Sequence, residues 1–443
     1  MAQVTLDTFR FAPGFTREAV ETLSREKCEP DWMRERRLEA WNVYEQTPLP
    51  TPQQRAWKYT DVSRLNFGAF VPHARPVDDH ESVAALPAPP AGQFSGLLRQ
   101  FDSHGHDAQL DDELRNVGVI FCSIDRAVKE FPELVQQYFM TECVPVGRDK
   151  FTALHAAFWS GGAFVYVPKN VVVKLPLYSL LSVATENMAV FPHVLVVADV
   201  GSQVSIVEEY GSPDSVKGIF SSGVTEIFVR DNAHVRYANL QRWGDTTQHF
   251  GMQRVVLDRD ARLNFVTVGL GGRLSKVTGE SVMRGTGSSS ELLGLFFGRK
   301  NQQFDYVTLQ DHQAPNTTSD LLFKSALNDR ARSIYYGLVR VGPNARLANA
   351  NQENRNLLLS GSARADSDPV LEILTSQVAR CTHGASVGPV DDEQLFYVQS
   401  RGISRPQAEK ILVTGFFHQV TGRVPDEALR TRMEQAIDER VEF

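Results

Sequence analysis

Two short β-branched runs flank a polar turn in the stretch Val194-Leu195-Val196-Val197-Ala198-Asp199-Val200-Gly201-Ser202-Gln203-Val204-Ser205-Ile206-Val207. Its reading decides the fold, because the same pattern recurs on both sides. Further strands are expected at 164–167, 171–173, 224–229, 235–237 and 263–268, most of them bounded by Gly, Asp or Asn. Polar turns precede alternating strands at Gly201-Ser202, Asp231-Asn232, Asp260-Ala261, Gly287-Ser288, Asn328-Asp329 and Pro343-Asn344. The gaps between their first residues are 30, 29, 27, 41 and 15, near multiples of about fourteen. A turn, a small residue and a strand, repeated from 201 to beyond 344, suggest a β-solenoid; a β-sandwich with irregular loops is the alternative.

Outside this region the texture is helical. Pro30 and Asp31 open a helix with Met33, Ala40, Trp41 and Tyr44 at helical spacing, which Pro48, Pro50 and Pro52 end. Residues 71–92 hold five prolines and read as a linker, and a second helix is expected over 125–138, burying Val128, Phe131 and Val135. Near the end, Asp391 with Gln394 makes a capping-box-like start, Gly402 stops that helix, and Ser404 with Pro406 begins another. That helix is expected to turn Ala408, Ile411, Leu412 and Phe416 to one side. Pro425 starts a third, whose Leu429, Met433, Ala436 and Ile437 form a stripe suited to packing on its own domain. Three regions result: 1–150, mainly helical with the linker 71–92; a β core, 151–390; and a helical region, 391–443.

Composition bounds the function. Of 443 residues, 42% are hydrophobic and 22% charged, a globular profile with ample core material. The net charge of −7 argues against bulk nucleic-acid binding. No run of eighteen apolar residues suits a membrane span, and residues 1–15 lack a secretory pattern, so the cytoplasm is the expected address. The four cysteines, Cys28, Cys122, Cys143 and Cys381, are far apart, which disfavours a disulfide framework or an all-cysteine metal site.

Nucleotide and hydrolase motifs are absent: there is no GxxxxGK[ST], Rossmann glycine spacing, GxSxG or HExxH. His104-Gly105-His106 reads as a solvated loop, and Asp311-His312 as a polar turn. Glu208 and Glu209, adjacent on a strand, point to opposite faces and cannot flank one bond. The most informative stretch is Arg380-Cys381-Thr382-His383-Gly384-Ala385. In an extended chain Cys381 and His383 share a face, and thiolate and imidazole are both ligands for iron. Two ligands are too few for a closed site; the plainer reading makes Cys381 a small buried hydrophobe and His383 a hydrogen-bonded turn residue.

A longer ordered set of motifs carries a resemblance. It runs through Ala157-Phe158-Trp159-Ser160-Gly161-Gly162, His312-Gln313-Ala314-Pro315, Asn354-Arg355-Asn356-Leu357, Cys381-Thr382-His383-Gly384-Ala385-Ser386-Val387-Gly388 and Ser400-Arg401-Gly402-Ile403. Together they resemble the SufB/SufD family of iron–sulfur cluster assembly scaffolds over roughly 151–417, with a looser match at Trp57-Lys58-Tyr59-Thr60-Asp61. The Cys-x-His-Gly form at 381–384 is that of the SufD-like branch, where SufB-like chains carry Glu-His-Glu-Ala. The resemblance implies a right-handed parallel β-helix core flanked by helical regions, acting as a non-catalytic scaffold. It implies pairing with SufB through the β-helix and docking of the SufC ATPase on the C-terminal helices; it is compatible with a homodimer of the chain alone, whose oligomeric state the sequence leaves open. His383, with Cys381 beside it, would help hold iron or a nascent cluster shared with SufB. No cofactor is implied for the isolated chain; a transient cluster and reduced flavin belong to the complex, with no flavin site assigned to residues. Competing readings are a SufB-like scaffold that receives sulfur directly, a β-helix polysaccharide enzyme, and a self-assembling structural solenoid.

Overall fold

A computed structural model describes residues 13–73, 86–105 and 108–441. Most of the expected linker, His106, Asp107 and the first twelve residues lie outside the described residues. The chain coils between two sheets, so that successive strands fall alternately on one and then the other. His193–Ala198, Phe220–Val229 and Gln248–Leu257 lie in one sheet, and Gln203–Gly211, His234–Arg242 and Arg262–Gly269 in its counterpart. This alternation continues to Arg364–Ile373 and Arg380–Pro389, the last strands of the two sheets. Every pairing from 163 onward other than the antiparallel one between Ala163–Val167 and Ile120–Ser123 is parallel and in register. The fold is therefore a parallel β-solenoid and not a sandwich, whose strands would run antiparallel.

The expected spacing has a simple origin. Gln203, His234, Arg262, Ser289, Thr318, Asn349 and Arg380 stack on successive rungs of 27 to 31 residues, each rung holding two strands. The irregular gap of 41 arises because Asn328-Asp329 turns at the opposite edge, before Arg332–Val341. Along the first edge runs a ladder of left-handed residues: Asn170, Gly201, Asn232, Asp260, Gly287, Asn316 and Leu347, with φ between 55° and 76°. Each N–H donates to a carbonyl one rung further on, as in Gly201 to Asp231 and Asn232 to Arg259, both at 2.9 Å. Asn, Asp and Gly accept this conformation readily, which explains the polar turns.

The solenoid interior is aromatic through the middle rungs. Phe265, Phe296, Phe304, Tyr306 and Phe323 stack there, with the Phe296 and Tyr306 rings 3.8 Å apart. Helices cover both outer faces. Arg17–Glu26, Asp31–Gln46 and Lys150–Phe158 pack with Leu195, Phe228, Phe250 and Val256. At the other end, Arg405–Thr421 and Glu427–Arg440 place Val413, Phe417, Met433 and Ile437 against Val207, Leu240, Val268 and Leu295. None of the described helices is long and apolar enough to cross a membrane.

Several local expectations need correction. The helix expected over 125–138 is two, Ile124–Glu130 and Pro132–Tyr138, because Pro132 has no N–H to continue the first. Strands Gly96–Phe101 and Ile120–Ser123 come from the region expected to be mainly helical, yet they join the two sheets. Asp311-His312 is no turn. Both residues end strand Gln303–His312 and are buried. On helix Arg405–Thr421 the buried side is Ala408, Val413, Phe417 and Val420, and Ile411 is exposed.

Candidate functional site

Strand Arg380–Pro389 pairs on one side only, with Asn349–Leu358, and its other edge is open. The chain leaves the solenoid just after it, where Asp391 accepts hydrogen bonds from the Glu393 and Gln394 amides and starts helix Asp392–Gln399. Along this strand the register sets Cys381 beside Ala350, Thr382 beside Asn351 and His383 beside Gln352. The two-residue period puts Cys381 and His383 on one face, as expected from the sequence, and the register makes that face the inward one. Thr382 faces outward and donates to Asn351 Oδ1 at 2.8 Å.

The two candidate ligands differ in environment. Cys381 is half-buried against a small aliphatic cluster of Val339, Val341, Ala345, Ala348 and Ala350. Burial pushes its thiol up from the usual value, which keeps it protonated at neutral pH. His383 is exposed at the mouth of the solenoid. Among the described residues no three His, Cys, Asp or Glu side chains converge to hold a metal ion. Cys381 and His383 thus stand two residues apart on the last strand, and no third such side chain joins them among the described residues.

The interior changes character as it nears this mouth. The column that ends at His383 reads Ile206, Tyr237, Phe265, Leu292, Leu321, then Gln352. Beside it Asn354 Oδ1 accepts from Ser367 Oγ and from Asn356 Nδ2, both at 2.7 Å. Asn356 in turn accepts from Ser325 Oγ at 2.6 Å. Sequence reading missed this polar lining. Its residues are scattered between 325 and 367, and only the rung register brings them together.

The other sequence candidates are structural. Glu208 is sealed inside the solenoid, where Tyr210 and Tyr237 donate to it and burial raises its carboxyl. Glu209 points outward to Arg242 and Arg432, so the two acids do face opposite ways. His312 bonds Thr317 and Ser319 at 2.8 Å each, and burial lowers it to about 4. His104 lies on a short strand with its ring 4.8 Å from that of His73.

The described residues thus form a parallel solenoid with helices on both flanks and one unpaired, polar end. Residues 181–416 match the family described as SUF system FeS cluster assembly, SufBD core domain, and residues 100–178 match the SufBD protein N-terminal region. Proteins named iron–sulfur cluster assembly SufBD family protein, from Staphylococcus saprophyticus, Staphylococcus haemolyticus and Staphylococcus aureus, are each 33% identical to it. The alignments cover 95% of this chain and 91% of each relative. The chain belongs to the SufBD family of iron–sulfur cluster assembly proteins.

Proposed function

We propose that this chain is the SufD-like, non-catalytic scaffold of a cytoplasmic complex with SufB and SufC, and that His383 helps hold iron or a nascent cluster where SufB meets the open end. The observation that carries the reading is the terminal strand itself. An unpaired edge invites pairing with another chain, and this one bears an exposed histidine two residues from a half-buried cysteine. Gly384 and Gly388 on the same strand face open space, with nothing within 4 Å of where a Cβ would stand. Bare backbone there would admit close approach of a partner.

The SufD-like assignment rests on Cys381-Thr382-His383-Gly384 standing where the SufB-like form has Glu-His-Glu-Ala. Docking of SufC is assigned to the C-terminal helices, on which Phe396, Tyr397 and Ile411 are 73%, 59% and 48% exposed. ATP-driven approach of two SufC chains would pull on these helices and strain the end of the solenoid. His383 is exposed without such strain, so the pull would act on Cys381 and on the interface. A soft and a borderline ligand drawn from two chains would hold a cluster loosely enough for transfer. Reduced flavin would bind the assembled complex, with no residue of this chain assigned to it.

Co-expression with SufB-type and SufC-type chains, followed by anaerobic reconstitution with iron and sulfide, tests the reading. A stable three-component complex whose cluster absorbance falls in His383→Ala supports it. A complex that holds clusters equally well in that variant removes the ligand role, and failure to form a complex removes the assignment.

A further inference from the structure

Gln352 is the one side chain among the described residues with two buried polar atoms that both lack a hydrogen bond. It is 0% exposed, and neither Oε1 nor Nε2 makes a hydrogen bond of normal geometry. The Tyr335 hydroxyl interacts with the amide as well as with Thr308 Oγ1, which lies 2.9 Å from it, and this leaves the Gln352 Oε1 without a donor. The five predecessors of Gln352 in the same inward column are aliphatic or aromatic, so a carboxamide here breaks the pattern at a cost in free energy. The neighbouring amides do not need it, since Asn354, Asn356 and Ser367 satisfy one another. Room has been left for it: a Cβ at Gly337 would stand 2.2 Å from Gln352 Nε2 and 2.3 Å from the Tyr335 hydroxyl. The rung beyond it holds His383 in direct register, on the same face.

We infer that Gln352 is a positioning residue for His383: its Oε1 accepts the N–H of one ring nitrogen once a partner chain covers the mouth, and so turns the other nitrogen toward the metal cargo. An imidazole ligand commonly has its second nitrogen held in this way, which fixes both tautomer and ring plane. The inference rests on the proposed role of His383 at the interface and extends it inward by one rung.

The test uses the complex with SufB-type and SufC-type chains and three variants, Gln352→Leu, Gln352→Glu and His383→Ala. Long-range ¹H–¹⁵N spectra report the His383 tautomer, and anaerobic titration with ferrous iron alone reports affinity. Gln352→Leu should mix the tautomers and weaken iron binding by about tenfold or more, with no fall in thermal midpoint, since an unpaired buried amide is removed. Gln352→Glu keeps an acceptor and should keep the single tautomer. A lowered midpoint with tautomer and affinity unchanged would make Gln352 a packing or water-binding residue and overturn the inference. If no complex forms, or His383→Ala binds iron like the wild type, the underlying reading has failed and this inference goes with it. If His383→Ala loses iron and Gln352→Leu does not, the inference alone is overturned.

Discussion

Lys324 and Phe416 meet twice: the ammonium lies 4.0 Å from the centroid of the Phe416 ring and donates to the Phe416 carbonyl at 2.9 Å. The same nitrogen reaches Gln419 Oε1 at 2.5 Å. One lysine on strand Thr318–Leu327 thus anchors helix Arg405–Thr421, which lies in the region assigned to the ATPase. Burial pushes Lys324 down to about 8 from an ordinary value of 10.5. A base depressed on folding binds fewer protons in the native state, so its contribution to stability rises with pH between the two values. Lys324→Met should cost about 1–3 kcal/mol through the orphaned acceptors. It should also lose part of the gain in stability from pH about 8 to about 10. Urea unfolding across that range checks both, and parallel curves for the two proteins would refute the titration.

Acid should unfold the chain early. Burial lowers His249 to about 3 and His312 to about 4, and it also lowers His155 and His193. Each is neutral in the folded state and charges on unfolding, so this stability is complete above pH 6.5 and is lost as pH falls toward the folded values. A histidine of this kind costs about 1.4 kcal/mol per pH unit below 6.5. Glu226, 3.2 Å from the His193 ring, acts oppositely: burial raises its carboxyl, so its effect is to reduce stability as pH climbs from 4.5. His312→Asn should make the acid limb shallower by roughly one histidine's slope. Urea midpoints at several pH values between about 4 and about 7 measure it, and an unchanged slope would contradict the buried neutral ring.

Two glycines should respond in opposite ways to alanine. Gly201 has φ of 69°, and a Cβ there would stand 2.4 Å from Asn170 Oδ1. Gly201→Ala should cost about 1–2 kcal/mol, because a left-handed alanine is strained in any surroundings. Gly384 has nothing within 4 Å, so Gly384→Ala should leave the isolated chain as stable or about 0.5–1 kcal/mol more so. The same methyl group should weaken assembly with the SufB-type chain if backbone approaches there. Thermal midpoints for the chain and dissociation constants for the pair separate the two effects.

What was legible in the sequence was what repeats. The ladder at Gly201, Asn232, Asp260 and Gly287 needs residues that accept positive φ, so the backbone requirement is written in the residue types. Period-two alternation likewise assigns Cys381 and His383 to one face from their spacing alone. The hidden features depend on register between distant segments. Leu347 continues the ladder without looking like a turn residue, and Asp311-His312 looks polar enough for a turn yet is sealed by Thr317 and Ser319. Gln352 is an ordinary glutamine until its rung is known, and strands Gly96–Phe101 and Ile120–Ser123 make sense only beside partners far along the chain.

The four thiols should separate by accessibility, and this decides how much weight Cys381 carries. Cys28 is exposed and Cys381 half-buried, while Cys122 and Cys143 are buried. Burial pushes Cys122 up to about 12 and Cys143 well above its ordinary value, and it raises Cys381 as well. The thiolate is the reactive and metal-binding form, so iodoacetamide at neutral pH should modify Cys28 first, Cys381 slowly, and the other two only on unfolding. Peptide mass spectrometry against time reads the order. A protonated, aliphatic-packed Cys381 contributes little as a ligand unless the assembled complex uncovers it, so Cys381→Ala should retain cluster loading in a complex where His383→Ala loses most of it. Rapid labelling of Cys381 in the isolated chain, or equal loss of clusters in the two variants, would make it a full ligand and return the site to a matched pair.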